Sequence, residues 1–239
     1  MKSIFLCALV GLSLIFPFRG VAQTNSETHK LTAKDYYNRG LAKVRIEDSK
    51  RKGDYKGAIA DYTRAIGIHP NYAEAYYERA EAEFRVEDDS EEVENSWNDK
   101  AIADYTRAIE INPQYADAYF GRALARELNG DRKSALVDYN RVIELDPKRS
   151  AAYINRAALK WETNDLEGAM ADYNRAIELD PKSALAIYKR ADLKLEREDF
   201  EGAIADYDRA LKLAPKDLYA GPARTSRLKA QAAAKARSP

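Results

Sequence analysis

Residues that most often carry out catalysis or hold metals are scarce in this chain. Its only cysteine is Cys7, and its only histidines are His29 and His69. A structural zinc site needs about four Cys or His ligands, and a serine or cysteine nucleophile usually needs a histidine base. Acidic pairs such as Glu78 and Glu81 could do acid–base work, but a spacing of three is routine on a helix. We therefore expect a non-enzyme without a metal site or a cofactor.

The charge balance argues against a nucleic-acid partner. The chain has 39 basic and 39 acidic residues among 239, whereas neutralising phosphates needs a clear excess of Lys and Arg. No stretch matches a Walker phosphate loop or a dinucleotide-binding glycine pattern. A calcium site in the acidic run within residues 87–95 is a weak alternative, because the run lacks the ordered ligand spacing with a central glycine. The hydrophobic share of 45% is enough for a folded core.

Residues 1–22 have the pattern of a secretory signal peptide. A basic second residue precedes an apolar run over residues 4–16, and Gly20-Val21-Ala22 places small residues before the expected cleavage point. The apolar run is too short to span about 30 Å of hydrocarbon, although an uncleaved membrane anchor is the alternative. We expect cleavage before Gln23, a periplasmic or secreted protein, and a linker over residues 23–32.

A sequence pattern repeats along the rest of the chain. Pro113, Pro147, Pro181 and Pro215 lie 34 residues apart, and each ends a segment of the form A-[IML]-x-D-Y-x-R-[AV]-[IL]-x-[IL]-x-P. The same segment also ends at Pro70. Its apolar residues recur at steps of three and four, which predicts one apolar helix face, and the proline ends the helix.

A shorter pattern upstream of each segment predicts a first helix in every repeat unit. Asn129-Gly130-Asp131 separates the two helices of one unit, and its glycine and aspartate favour a left-handed turn followed by an N-cap. Each unit is therefore predicted to be an antiparallel helix pair. The shorter pattern carries an arginine in every unit: Arg39, Arg79, Arg122, Arg156 and Arg190.

These paired patterns resemble the tetratricopeptide-repeat family. The resemblance implies an all-α fold, a right-handed α-solenoid of antiparallel helix pairs, over residues 33–215. We expect a capping helix over residues 216–228, with Arg224 in the arginine register, and then a frayed basic tail over residues 229–239. Contact of this tail with an anionic membrane surface is the alternative. The five expected repeats are residues 33–70, 73–113, 116–147, 150–181 and 184–215.

The arginine departs from the family pattern, in which leucine is usual at that position. We predict that each arginine lays its stem along the seam between the helices and forks onto an aspartate of its own or a neighbouring repeat. An arginine ladder that binds acidic ligands is the alternative. The aspartates precede the second-helix tyrosines, at Asp61, Asp104, Asp138, Asp172 and Asp206.

The first two repeats carry insertions, at residues 46–52 and 87–95. The first is basic and the second is acidic. Because they occupy equivalent places in adjacent repeats, we predict that they dock on each other. Two solvated helix extensions are the alternative, since exposed ion pairs are typically worth about 0–1 kcal/mol.

The resemblance implies a ligand groove, because the first helices line the concave face in this family. The fifth position of each first helix gives a mostly aromatic stripe, for which packing between helices is the alternative interpretation. Acidic residues outnumber basic ones around it, which suits an apolar peptide or helix that carries basic residues. The predicted groove residues are Tyr37, Leu41, Tyr77, Glu78, Glu81, Phe84, Phe120, Leu124, Ile154, Asn155, Trp161, Tyr188 and Asp192.

The expected function is therefore that of a monomeric, non-catalytic exported adaptor that binds a protein or peptide partner in this groove. The alternative is a structural subunit that is permanently buried in a larger envelope assembly.

Overall fold

The structure, a computed structural model, describes residues 30–45, 53–85 and 91–237, with no side chains described over residues 91–97. The predicted signal peptide, most of the linker and the predicted docking of the two insertions lie outside these residues. In the described part there are eleven α-helices and no strand. They are α1 (Ala33–Val44), α2 (Tyr55–Ile68), α3 (Ala73–Phe84), α4 (Glu91–Ile111), α5 (Ala116–Leu128), α6 (Arg132–Leu145), α7 (Ser150–Glu162), α8 (Leu166–Leu179), α9 (Ala184–Glu196), α10 (Phe200–Leu213) and α11 (Ala220–Arg237).

Local chemistry sets where the second helices begin. Asp131 caps α6, and its side chain accepts a hydrogen bond from the backbone N–H of Ser134. This bond satisfies one of the N–H groups that have no partner inside the helix. The predicted left-handed turn before it is confirmed, because Gly130 has a φ of +77°. Aspartates cap the second helices of three further repeats in the same way: Asp54, Asp165 and Asp199.

Each helix packs against the next one along the chain, from α1 to α11. Successive first helices also touch one another, at α1–α3 and α3–α5, and α9 touches α11. We call the surface that the first helices present the first-helix face. No helix in the described ranges is long and apolar enough to cross a bilayer.

Tyrosines fill the spaces between small residues in the core. The ring of Tyr105 lies so close to α5 that a Cβ at Gly121 would stand 2.5 Å from it, and Gly40 makes the same room for Tyr62. Such close approach is possible only where the facing helix carries no side chain. One tyrosine per second helix is at most 1% exposed: Tyr62, Tyr105, Tyr139, Tyr173 and Tyr207.

The predicted arginine–aspartate pairing is confirmed, and each arginine forks onto the aspartate of its own repeat. Arg122 donates from Nε and Nη2 to the two carboxylate oxygens of Asp138, at 2.9 and 2.7 Å. Its Nη1 donates to the hydroxyl of Thr106 in the preceding repeat at 3.1 Å. One guanidinium thus ties three helices together, and it is used inside the solenoid rather than offered to a ligand. The other pairs are Arg39–Asp61, Arg79–Asp104, Arg156–Asp172 and Arg190–Asp206.

The C-terminal helix differs from the sequence prediction. Instead of a capping helix over 216–228 and a frayed tail, one helix runs over Ala220–Arg237. Its alanine-rich sequence favours a helix, and Ala230 is fully buried. Arg227 forks onto Asp208 of α10, while Arg224 donates to the carbonyl oxygen of Pro215. The arginine register is therefore shifted by three residues in α11.

Candidate functional site

The aromatic stripe lies on the first-helix face, and much of it packs between helices. The ring centroid of Tyr77 is 5.9 Å from that of Tyr105 and 5.0 Å from that of Tyr115, at the start of the next repeat. The guanidinium of Arg149 covers the ring of Phe120 at 4.1 Å. These contacts support the packing interpretation of the stripe. Tyr188 is only 8% exposed, and Tyr37 and Ile154 are half-buried against the core.

Other predicted groove residues are more accessible. Phe84 is 38% exposed at the end of α3. The indole N–H of Trp161 donates to the carboxylate of Glu196 in the next repeat at 2.6 Å. Leu41, Leu124 and Asn155 are half-buried. Phe84 is thus the most exposed predicted groove side chain, whereas Leu124 and Trp161 reach the surface but also pack against the core.

Three carboxylates of the first-helix face accept hydrogen bonds from buried tyrosine hydroxyls of the second helices. Tyr105 donates to Glu81 at 2.7 Å, Tyr139 to Glu127 at 2.9 Å, and Tyr207 to Asp192 at 2.6 Å. Glu127 is one of the acidic residues around the predicted stripe, but it is not among the predicted groove residues. Glu81 and Asp192 lie two residues after the arginine of their repeats. The third repeat has a leucine at that position, and Glu127 lies one helical turn after it.

Two tyrosine hydroxyls have no such partner. Tyr62 and Tyr173 are fully buried, and their hydroxyls make no hydrogen bond to any part of the chain that the structure describes. The sequence explains the difference. The position two residues after the arginine holds a carboxylate in the second and fifth repeats, but Leu41 in the first and Ala158 in the fourth.

Burial dominates the electrostatics of this face. It raises the pKa of Glu78, and the nearby charge of Glu81 raises it further. Burial also raises the pKa of Glu127 and of Asp192, although the hydrogen bonds from Tyr139 and Tyr207 oppose it. A desolvated carboxylate gains more from a cationic partner than one in water does. The face is therefore suited to bind positively charged groups.

A cavity of about 180 Å³ opens between the first two repeats. The carboxylate of Glu81 at its edge is already engaged, by the Tyr105 hydroxyl at 2.7 Å and by Arg85 at 3.2 Å. Among the described residues, Glu78 makes no hydrogen bond or ion pair. The cavity is lined by Val44, Tyr55, Tyr77, Glu78, Glu81, Ala82 and Arg85.

The described ranges contain no cluster of three or more His, Cys, Asp or Glu residues that could hold a metal ion. The acidic run considered for calcium lies outside the described side chains.

Models of the repeat match most of this solenoid. One, described as TPR repeat, matches residues 50–86, 92–130 and 161–195. A second, described as tetratricopeptide repeat, matches residues 116–149 and 184–217. The chain belongs to the tetratricopeptide-repeat family. The comparison with curated proteins found no match to this tetratricopeptide-repeat chain.

Solved tetratricopeptide-repeat structures share its fold at low sequence identity. YrrB is 20% identical with a TM-score of 0.64, and the match covers 83% of this chain and 95% of that one. MamA from Desulfovibrio magneticus RS-1 is 16% identical with a TM-score of 0.65, over 78% and 97% of the two chains. A tetratricopeptide-repeat protein from Parabacteroides merdae is 17% identical with a TM-score of 0.67, over 85% and 73%. These similarities establish the all-helical solenoid.

Proposed function

We propose that this tetratricopeptide-repeat protein is a non-catalytic, monomeric adaptor that binds a peptide or helix of a partner protein along its first-helix face. The observation that carries the proposal is the cavity between the first two repeats, where Glu78, whose carboxylate is unpaired within the described ranges, lies beside apolar walls. The solved structure of YrrB, described as having an unusual peptide-binding site, adds support by analogy of fold.

The side chains of the first-helix face indicate what kind of partner it binds. Phe84 and Trp161, which reach the surface, offer apolar anchors to a partner. Desolvated carboxylates such as Glu78 favour a partner that carries basic residues. We propose a protein partner rather than an anionic surface, because Arg227 and Arg237 of α11 pair with Asp208 and Glu198 of the solenoid.

Affinity capture from an extract of the native cells tests this proposal. The full chain should retain a partner that a Phe84→Ala/Trp161→Ala variant loses, because both substitutions remove apolar surface from the first-helix face. Trp161 also packs against the core, so circular dichroism must show that the variant keeps the helix content of the parent. Val137→Ala/Leu128→Ala is the matched control, since these side chains are 65% and 64% exposed and neither belongs to the predicted groove. If the two variants retain the same partners as the parent, the first-helix face is not the binding site. Elution of the purified chain as a large assembly would favour the structural-subunit alternative.

The proposal also places the adaptor outside the cytoplasm, on the basis of residues 1–22. Protein purified from its native cells should then begin at Gln23 when its N-terminus is determined by mass spectrometry. Protein that retains Met1 would contradict export by a cleaved signal.

A further inference from the structure

We propose that the cavity between the first two repeats is a subsite for a lysine side chain of the partner, with Glu78 as its counter-ion. This inference rests on the proposed function and makes the partner's chemistry specific. Four observations support it: a carboxylate without a hydrogen bond or ion pair in the described ranges, a nearby tyrosine hydroxyl that does not donate to it, the engagement of the described charges around it, and the shape of the cavity.

Equivalent positions in other repeats locate the Glu78 side chain. Asn155, at the same position of the fourth repeat, lies close enough to the hydroxyl of Tyr139 in the repeat before it to lower the pKa of that tyrosine. A Cβ at Gly121, at this position of the third repeat, would stand 2.9 Å from the Tyr105 hydroxyl. By the same register Glu78 lies near the hydroxyl of Tyr62, close enough for its charge to raise the pKa of that tyrosine.

That hydroxyl is the second observation. Tyr62 is fully buried, and its oxygen makes no hydrogen bond within the described part of the chain. Leaving a buried polar group without a partner costs about 1–3 kcal/mol. Glu78 also contributes the largest charge effect on Tyr62 and raises its pKa further, after burial. Tyr62 does not line the cavity, and its hydroxyl does not donate to Glu78, so the carboxylate remains available to an ammonium group that enters the cavity.

The two described cations nearest the cavity do not occupy this position. Arg85 is bound to Glu81, and its side chain is 55% exposed. Arg45 is exposed at the end of α1, close enough to lower the pKa of Glu78 but without forming an ion pair with it in the described structure. Among the described carboxylates at this cavity, Glu78 is therefore the one that a ligand's charge can neutralise.

The shape of the cavity favours lysine. Val44, Tyr55 and Tyr77 line it, and they offer apolar surface to a flexible methylene stem. Lysine ends in a compact ammonium with three donors, whereas the planar fork of arginine suits a bidentate carboxylate. Glu81, the second carboxylate, already accepts two hydrogen bonds.

n-Butylammonium, which has the structure of the lysine side chain, is the probe that tests this inference. It should be titrated into the ¹⁵N-labelled full chain while the backbone amide shifts are followed by NMR. We expect saturable changes around Val44, Tyr77 and Ala82, with affinity about tenfold weaker in Glu78→Gln. Glu144→Gln, which removes an exposed carboxylate on α6, is the matched control and should bind like the parent. Because Gln is neutral and burial disfavours the charged form of Glu78, the variant should remain folded, and its spectrum checks this.

Three outcomes would overturn the inference: no localised saturable shifts, equal binding of uncharged 1-butanol, or equal binding by Glu78→Gln. Its failure is distinguishable from failure of the proposed function. If the capture experiment succeeds and n-butylammonium does not bind, the adaptor remains and the lysine subsite is wrong. If the amine binds and both capture variants retain every partner, the cavity recognises amines but the adaptor proposal is wrong.

Discussion

Replacing Glu83 by lysine should stabilise the solenoid at neutral pH and remove a pH dependence that this buried carboxyl creates. In the first, fourth and fifth repeats, the residue four positions after the arginine is a lysine that also binds the repeat's aspartate. In the third repeat Arg126 does so, at 2.6 Å. The lysines are Lys43, Lys160 and Lys194, at 3.0, 2.8 and 2.8 Å from the aspartate.

The second repeat has a carboxyl at this position. Glu83 is 7% exposed, and its Oε2 has no hydrogen-bond partner in the described residues. Burial raises its pKa from the usual 4.5 to about 7, and the charge of Asp104 adds to this, while Arg79 and Lys100 oppose it. Glu83 is therefore protonated in the folded chain at pH values at which the unfolded chain has released the proton.

The raised pKa of Glu83 makes the free energy of unfolding depend on pH. Because the folded state binds the proton more tightly, the free energy of unfolding falls as pH rises from about 4.5 to about 7. A shift of about 2.5 pH units, at about 1.4 kcal/mol per unit, corresponds to about 3 kcal/mol. The contribution is fully present below pH 4.5 and is lost once pH exceeds about 7.

Urea unfolding followed by circular dichroism between pH 4.5 and 8 measures this contribution of Glu83 to the free energy of unfolding. The difference in unfolding free energy between the parent and Glu83→Gln should change by about 3 kcal/mol over this range. Glu83→Lys should be more stable than the parent at pH 7.5, because it completes the ion pairs around Asp104. Glu110→Gln, an exposed carboxyl on α4, is the control and should follow the parent. Parallel pH curves for the parent and Glu83→Gln would refute the reasoning, because they would mean that Glu83 ionises equally well in the folded and unfolded chains.

Two further predictions concern the packing of the repeats. Gly121→Ala should lower the free energy of unfolding by about 1–3 kcal/mol, because its Cβ would stand 2.5 Å from the Tyr105 ring; Gly67→Ala, which meets nothing within 4 Å, should instead raise it by up to about 1 kcal/mol. Equal effects in urea melts would contradict this. A double-mutant cycle of Arg122→Ala and Asp138→Ala should give a coupling energy of about 1–3 kcal/mol, and additive effects would mean that the fork does not stabilise the solenoid.

The sequence by itself determined the local architecture. Helix ends depend on near neighbours, so Pro147 and Asp131 could be recognised as the stop of one helix and the cap of another. The arginine–aspartate pairs could be predicted for a related reason. A pair such as Arg122 and Asp138 recurs in every repeat at the same places of the helix pair, so one geometry applies to all of them.

Only the tertiary structure decided which side chains of the first-helix face are available. Tyr188 and Phe84 are both apolar groove candidates in the sequence, but the first is 8% and the second 38% exposed. The difference comes from a distant residue, since the ring of Tyr219 lies 5.5 Å from that of Tyr188. Helix period specifies the direction of a side chain, whereas burial depends on what the next repeat places against it.

Contacts with other helices also decided the hydrogen bonds of the buried tyrosines and the register of α11. Whether a tyrosine hydroxyl finds an acceptor depends on a residue of another helix, as with Tyr105 and Glu81. The register of α11 was likewise decided by its contacts, because Arg227 rather than Arg224 lies opposite Asp208. Local patterns fix the helices and their repetition; the packing of one repeat on the next fixes which groups of this chain remain for a partner.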